Sequence, residues 1–263
     1  MRISIASYSF NGLITARRMD VFGYLESCRY RYHLNSADLW NGLLGKTVDQ
    51  QLDPALLKAV REAMDERDLV CCNFHADGCH PWEDDADVRQ RQHALALRYL
   101  SAAKTLGAKT FRVDTGGRLP AWTNEQFDLI VSRMREYVAI GEQFGCRVGP
   151  EVHWGTELSI GEMERLAKAV DSPWFGILLH SKDAADGPAI EMDRRLAPYA
   201  MHTHIDAKTT DERLPEMVQT LHDAGYRGYW GVEHHSAQNE YREVEYQLAA
   251  VRRALTSLGV KAD

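Results

Sequence analysis

Residues 147–153 read Arg-Val-Gly-Pro-Glu-Val-His, and three more short apolar runs follow: Phe-Gly-Ile-Leu-Leu-His at 175–180, Ala-Met-His-Thr-His-Ile at 200–205 and Gly-Tyr-Trp-Gly-Val-Glu at 228–233. Each run is too short for an ordinary helix. Amphipathic stretches at 159–170, 189–197 and 211–224 separate them, with another at 239–257, which is the alternation of a parallel sheet wrapped by helices. Working outward, the same reading places strands at 2–8, 34–40, 69–74 and 110–114 and helices at 18–29, 54–67, 87–106 and 123–144. Helix-end chemistry agrees: Asp53-Pro54 opens one helix, Gly107 follows another, Thr123 is placed to cap a third and Gly225 closes a fourth. Eight strand–helix units in a chain of 263 residues predict an α/β protein built as a single (β/α)8, or TIM, barrel spanning residues 1–263.

Composition narrows the function. With 44% hydrophobic residues the chain buries a sizeable core, and a formal net charge of −7 argues against nucleic acid as the partner, because phosphate contacts need clustered Lys and Arg. Cys28, Cys71, Cys72, Cys79 and Cys146 form an odd set without paired CxxC spacing, so neither a disulfide framework nor a cysteine zinc site is expected. Cys71 and Cys72 read as core residues. The start, MRISIASYSFNG, carries no cleavage-type signal, and no apolar stretch reaches the ~20 residues that span a bilayer. A cytoplasmic protein with no membrane partner is expected.

The four apolar runs carry Glu151, His180, His204 and Glu233 near their ends, in settings that otherwise exclude charge. Alternation puts Glu151 and His153 on one face of their strand, His202, His204 and Asp206 on one face of another, and Glu233 and His235 together on a third. A buried, unpaired carboxylate costs several kcal/mol, so repeated polar residues on inward faces call for a shared partner. Two carboxylates and two imidazoles at one end of a sheet would make a divalent-metal site. An imidazole at 180 can instead donate to a backbone carbonyl, and His202, deeper in its strand, reads as a supporting residue. Arg112 and Asp114 share an inward face, either as an ion pair or with Arg112 holding a substrate oxygen. The loops His75–Trp82 and Asp114–Trp122 carry polar and aromatic residues, and in parallel barrels such loops form the catalytic rim. His75, His80, Trp40, Trp82 and Trp122 are pocket candidates there, with loop packing as the competing reading. His33, His93 and His222 read as surface or structural.

The ASYSF start, the Asp87-x-Arg89 helix running into Ala103-Lys-Thr-Leu-Gly107-Ala, the Glu of PEVH, HTHIDAK and the closing Gly225-Tyr-Arg-Gly-Tyr-Trp-Gly-Val-Glu233 appear in an order that resembles the xylose isomerase-like TIM-barrel superfamily. That group includes sugar isomerases, ketose 3-epimerases, inosose and dehydroshikimate dehydratases and the endonuclease IV branch. The resemblance implies a Glu, Asp, His, Glu metal set, matched at Glu151, His204 and Glu233. At the remaining position Leu179-His180-Ser-Lys182-Asp183 exchanges the usual Asp and His, so His180 is the expected ligand, and Asp183 and Lys182 are expected at the substrate. A second imidazole makes the site softer, favouring Mn2+ or Zn2+ over Mg2+, with Fe2+ and Co2+ as alternatives.

These residues predict a divalent-metal-dependent sugar isomerase or epimerase, with Glu151 and Glu233 as paired acid and base and His153 as the next proton-transfer group. His75, Arg112, Lys182, Asp183, Trp40 and Trp82 are the expected substrate contacts, on a sugar or polyol. The alternative is a lyase acting on a keto-sugar, keto-inositol or C-glycoside, since Glu151-x-His153 is similar to the pair in metal-dependent C-glycoside deglycosidase subunits. Those act with a small β-rich partner chain, so either such a subunit or a homo-oligomer is a candidate assembly. An abasic-site endonuclease ranks low, because the chain lacks the further His and Asp ligands of a three-metal cluster.

Overall fold

Among the described residues eight strands form at the apolar runs: β1 Ile3–Ile5, β2 Ser36–Trp40, β3 Val70–Ala76, β4 Thr110–Val113, β5 Arg147–Gly149, β6 Ile177–His180, β7 Ala200–Ile205 and β8 Trp230–Val232. This computed structural model describes residues 1–118 and 120–261; Leu119 of the expected rim loop and Ala262 and Asp263 of the expected domain lie outside the described residues. The strands pair in parallel as two arcs, β1-β8-β7-β6 and β2-β3-β4-β5. Parallel bridges Ala6↔Asp38 on one side, and Val148↔Phe175 and Glu151↔Leu178 on the other, join the arcs into a closed barrel. Closure removes both sheet edges, and barrel helices lie between successive strands.

The helix ends follow local chemistry. Asp53 accepts from the amide of Ala55 with Pro54 in the first turn, and Thr123 forms a capping box with Gln126. Gly107 and Gly225 adopt φ of 69° and 86°, the left-handed conformation that glycine reaches without a Cβ penalty. Several expected boundaries are corrected. The first strand stops at Ile5, and Ser7–Phe10 turn as a 3-10 helix, in which the Ser7 hydroxyl accepts from the Trp40 amide and the Ser9 hydroxyl donates to the Val232 carbonyl. The first barrel helix begins at Val21, where Asp20 caps the amide of Gly23, and passes into a π turn at Ser27–Arg31. Short helices at Asn11–Thr15, Asn41–Leu44, Val48–Gln51 and Ala207–Glu212 lie in stretches read as loops or as part of a longer helix. Among the described residues no helix is long and apolar enough to cross a membrane.

The β5–β6 seam is tight because two glycines meet there. A Cβ on Gly149 would lie 1.8 Å from the carbonyl oxygen of Gly176, and backbone bonds from Val148 to Trp174 (2.8 Å) and from Leu178 to Pro150 (2.9 Å) prevent the strands from separating. Gly149→Ala is therefore expected to lower the unfolding free energy by about 3 kcal/mol, as overpacking against backbone does. Gly23→Ala, in a helix where a Cβ finds its nearest neighbour at 3.5 Å, is expected to raise it by about 0.5–1 kcal/mol. Urea denaturation of both variants checks the contrast.

Candidate metal centre and active site

The register of the second arc sets the site. His180 pairs with His204 and His204 with Gly231, so the ends of β6, β7 and β8 lie level, and the Glu151↔Leu178 bridge adds Glu151 at the seam. Glu151, His180, His204 and Glu233 are all buried, and one ligand atom from each lies within 4.8 Å of the others. His180 Nδ1 stands 3.0 Å from Glu151 Oε1 and 3.5 Å from Glu233 Oε2. His204 Nδ1 stands 3.4 Å from Glu151 Oε1 and 3.5 Å from Glu233 Oε1 without making a hydrogen bond. The four residues expected to ligate thus converge, with both imidazoles turning Nδ1 inward.

Their other nitrogens explain this orientation. His204 Nε2 lies 3.1 Å from Asp38 Oδ2, which also receives His202 Nε2 at 2.6 Å, while Asn73 donates to Asp38 Oδ1 at 2.8 Å. His180 Nε2 lies 3.7 Å from Asp206 Oδ2. With a cation bound, the carboxylate behind each imidazole would favour the N–H on the far nitrogen and leave Nδ1 as the electron-pair donor. Burial alone would raise the pKa of Asp38, but His202 and His204 hold it well below the usual carboxylate range. Burial likewise opposes charge on His204, yet Glu233, Asp38 and Glu151 raise its pKa far above that of free histidine. The donor set of two carboxylates and two inward Nδ1 atoms fits a divalent cation.

Arg112 neutralises the other flank. Its Nε lies 3.0 Å from Glu151 Oε2, and Nη1 lies 2.8 Å from Asp77 Oδ1 and 3.3 Å from Asp114 Oδ2. Burial favours a protonated Glu151, but Arg112, His204 and the hydrogen bond from His180 keep its pKa well below the ordinary value. Arg112 Nη2 also approaches His75 Nδ1 at 3.2 Å. Burial lowers the pKa of His75 to about 4, against the pull of Asp38 and with the help of Arg112, so the ring is neutral and accepts that bond. His153 Nδ1 lies 2.8 Å from Asp114 Oδ2. Burial disfavours its charged form, but the bond to Asp114 and the charge of Glu151 raise its pKa. Glu233 Oε2 takes His235 Nε2 at 2.9 Å.

A cavity of about 260 Å3 opens over Glu151, His180 and Glu233, and Tyr8, Trp40, His75, Asp77, Arg112, His153, Lys182 and His235 complete its wall. A larger one of about 600 Å3 lies at the opposite end of the strands, among Arg2, Lys109, Arg147 and Tyr226, away from the carboxylates. Two expected substrate contacts are corrected. Asp183 lies in the loop that turns back at Ala184 and Gly187, where it accepts from the Ala189 amide at 3.2 Å and sits 3.6 Å from Lys208 Nζ, outside the cavity. Trp82 is packed under Arg89 and donates to Asp84, so it borders a neighbouring cavity instead. Trp122 is buried by loop packing against Phe127, and His93 bonds Tyr137. Asp38, Asp77 and Tyr8 escaped sequence reading. The available signal for Asp38 was a lone carboxylate in the apolar run Leu-Asn-Ser-Ala-Asp38-Leu-Trp.

The barrel and its mouth agree with a family described as xylose isomerase-like TIM barrel, which matches residues 39–255. The chain belongs to that family. No curated protein sequence matches it. Among solved structures this xylose isomerase-like barrel is similar to a D-tagatose 3-epimerase-like protein (18% identity, TM-score 0.75, covering 98% of this chain and 100% of that one). It is also similar to the IolI protein with a bound zinc atom (15% identity, TM-score 0.75, 98% of both chains). A third similar structure is D-psicose 3-epimerase in the presence of D-fructose (14% identity, TM-score 0.69, 98% of both chains).

Protein purified without chelator is expected to contain one divalent ion per chain by elemental analysis. His180→Ala should remove most of it, whereas Asp183→Asn should retain it. Asp38→Ala should weaken metal affinity by about 10–100-fold, the usual cost of losing a carboxylate behind a ligating imidazole. Equal occupancy in wild type and His180→Ala would refute the ligand assignment.

Proposed function

We propose that this protein is a divalent-metal-dependent sugar isomerase or epimerase that removes a proton from the carbon beside a carbonyl. The observation carrying this reading is the convergence of Glu151 and Glu233, from separate strand ends, on two inward-facing imidazole nitrogens beneath a small polar cavity. Similarity to proteins named as 3-epimerases supports it. Glu151, His180, His204 and Glu233 would hold the ion, which when bound supplies the Lewis acidity that polarises a carbonyl and lowers the cost of the enediolate.

The two carboxylates are not equivalent. Glu151 is gripped by Arg112 and His180, so its charge is largely matched, which suits an anchor. Glu233 receives one hydrogen bond from His235 and, among the described residues, has only imidazoles and no guanidinium in its ion pairs, which suits the proton acceptor. His153 lines the same cavity with Nδ1 committed to Asp114, an orientation that leaves Nε2 for proton transfer. Tyr8 and Trp40 pack edge to face at 5.1 Å and give the substrate an apolar wall. The His153–Asp114 pair also favours a second reading, a lyase on a keto-sugar or related ring, because elimination needs a proton donor for the leaving group in addition to the base.

Glu233→Gln is expected to lower turnover by about three orders of magnitude with the fold intact by circular dichroism. Wild-type enzyme acting on its sugar in deuterated water should yield product carrying deuterium at the reacting carbon, detected by mass spectrometry. Retained activity in Glu233→Gln would sink the assignment of the base, and cleavage of abasic DNA without sugar activity would replace the functional class.

A further inference from the structure

Beside the metal cavity, the loops after β3, β4 and β5 enclose a second cavity of about 450 Å3, bordered by His80, Trp82, Glu83, Asp84, Arg118 and Trp154. The two cavities share a wall. Asp114 Oδ2 binds His153 Nδ1 at 2.8 Å and Trp154 Nε1 at 3.3 Å, and these consecutive residues line the metal cavity and the rim cavity respectively.

The rim cavity is built into the fold. Thr115 carries the amide of Trp82 on its carbonyl at 2.9 Å, and Glu157, buried behind it, accepts from the Thr115 hydroxyl at 2.9 Å. Gly116 and Gly155, both at positive φ, let the loops touch: a Cβ on either would come within 2.0 Å of Trp82 O or 2.5 Å of Gly117 O. The lining has the chemistry of carbohydrate recognition. Trp154 and His80 present rings whose centroids lie 5.3 Å apart, suited to sugar C–H surfaces, and Glu83, Asp84 and Arg118 offer partners for hydroxyls. Two carboxylates beside one guanidinium disfavour an anionic group. The metal cavity alone falls below the roughly 300–1,000 Å3 of small-molecule sites, whereas the two together fall within it.

We propose that the rim cavity binds a second, uncharged sugar ring joined by a glycosidic oxygen to the ring that reacts in the metal cavity. This rests on the reading of the metal cavity as a carbohydrate site. The test is calorimetric titration of the Mn2+-loaded protein with D-fructose and with three disaccharides that carry a glucosyl unit on O3, O4 or O6 of fructose. At least one disaccharide is expected to bind about tenfold more tightly than D-fructose. His80→Ala should erase that advantage while leaving D-fructose affinity unchanged, and Arg118→Ala provides the same comparison should His80→Ala not fold. D-fructose binding with no gain from any disaccharide, or a gain insensitive to the rim variant, overturns the second-ring inference alone. Binding of none of the four sugars overturns the carbohydrate reading as well.

Discussion

Negative charge buried at the barrel mouth is the constraint on which the rest of this structure depends. Asp38, Asp114, Glu151 and Glu233 are all 6% exposed or less, and an isolated carboxylate in such a place would take up a proton. Here each has a positive or hydrogen-bonding partner. Arg112 spans Asp77, Asp114 and Glu151, His204 stands between Asp38 and the two glutamates, and His180 stands between the glutamates and Asp206. Removing one such partner would leave a buried charge uncompensated, a loss on the order of 3–5 kcal/mol. The network is therefore a stability element and a chemical site at once.

The barrel makes that network available because parallel strands end at one rim and their residues stand in register. His75 is level with Arg112, Asp38 with Asn73, and His180 with His204, so contacts between residues far apart in the chain follow from the ladders. The two seams matter most. They carry Asp38 and Glu151, where pairing is reduced to isolated bridges and the side chains are set by closure. Gly149 and Gly176 permit the closer approach at one seam, so a backbone requirement beneath the rim decides where the Glu151 carboxylate stands.

Charge distribution also accounts for the exchanged position in β6. Where the family resemblance implies Asp, His180 removes one negative charge from the ring of convergent residues, and Arg112 beside Glu151 offsets part of another. Asp38 and Asp206 return negative charge from behind the imidazoles, through nitrogens that do not face the cavity. The ring is thus less acidic at its surface but backed by carboxylates, an environment in which imidazole is a stronger donor.

The eight-unit barrel was legible because the apolar period changes between strand and helix eight times, and because capping residues such as Asp53 and Thr123 act over only a few residues. Glu151, His180, His204 and Glu233 were legible for a related reason: a titratable group in a short apolar run is conspicuous without knowledge of its neighbours. The proximity of Asp38 to His204, across 166 positions, was not, since it arises only when β2 and β7 face each other in the closed barrel. Nor could a list of rim residues separate Trp40, which borders the metal cavity, from Trp82, which borders the next one, or show that the loop after β6 carries Asp183 away from His180. Sequence by itself determined which segments become strands and which residue types their ends present, because period and local hydrogen bonding act along the chain. Tertiary structure alone decided which nitrogen of each histidine faces inward and which carboxylate each cation serves, because those choices depend on partners that only barrel closure brings within hydrogen-bonding distance.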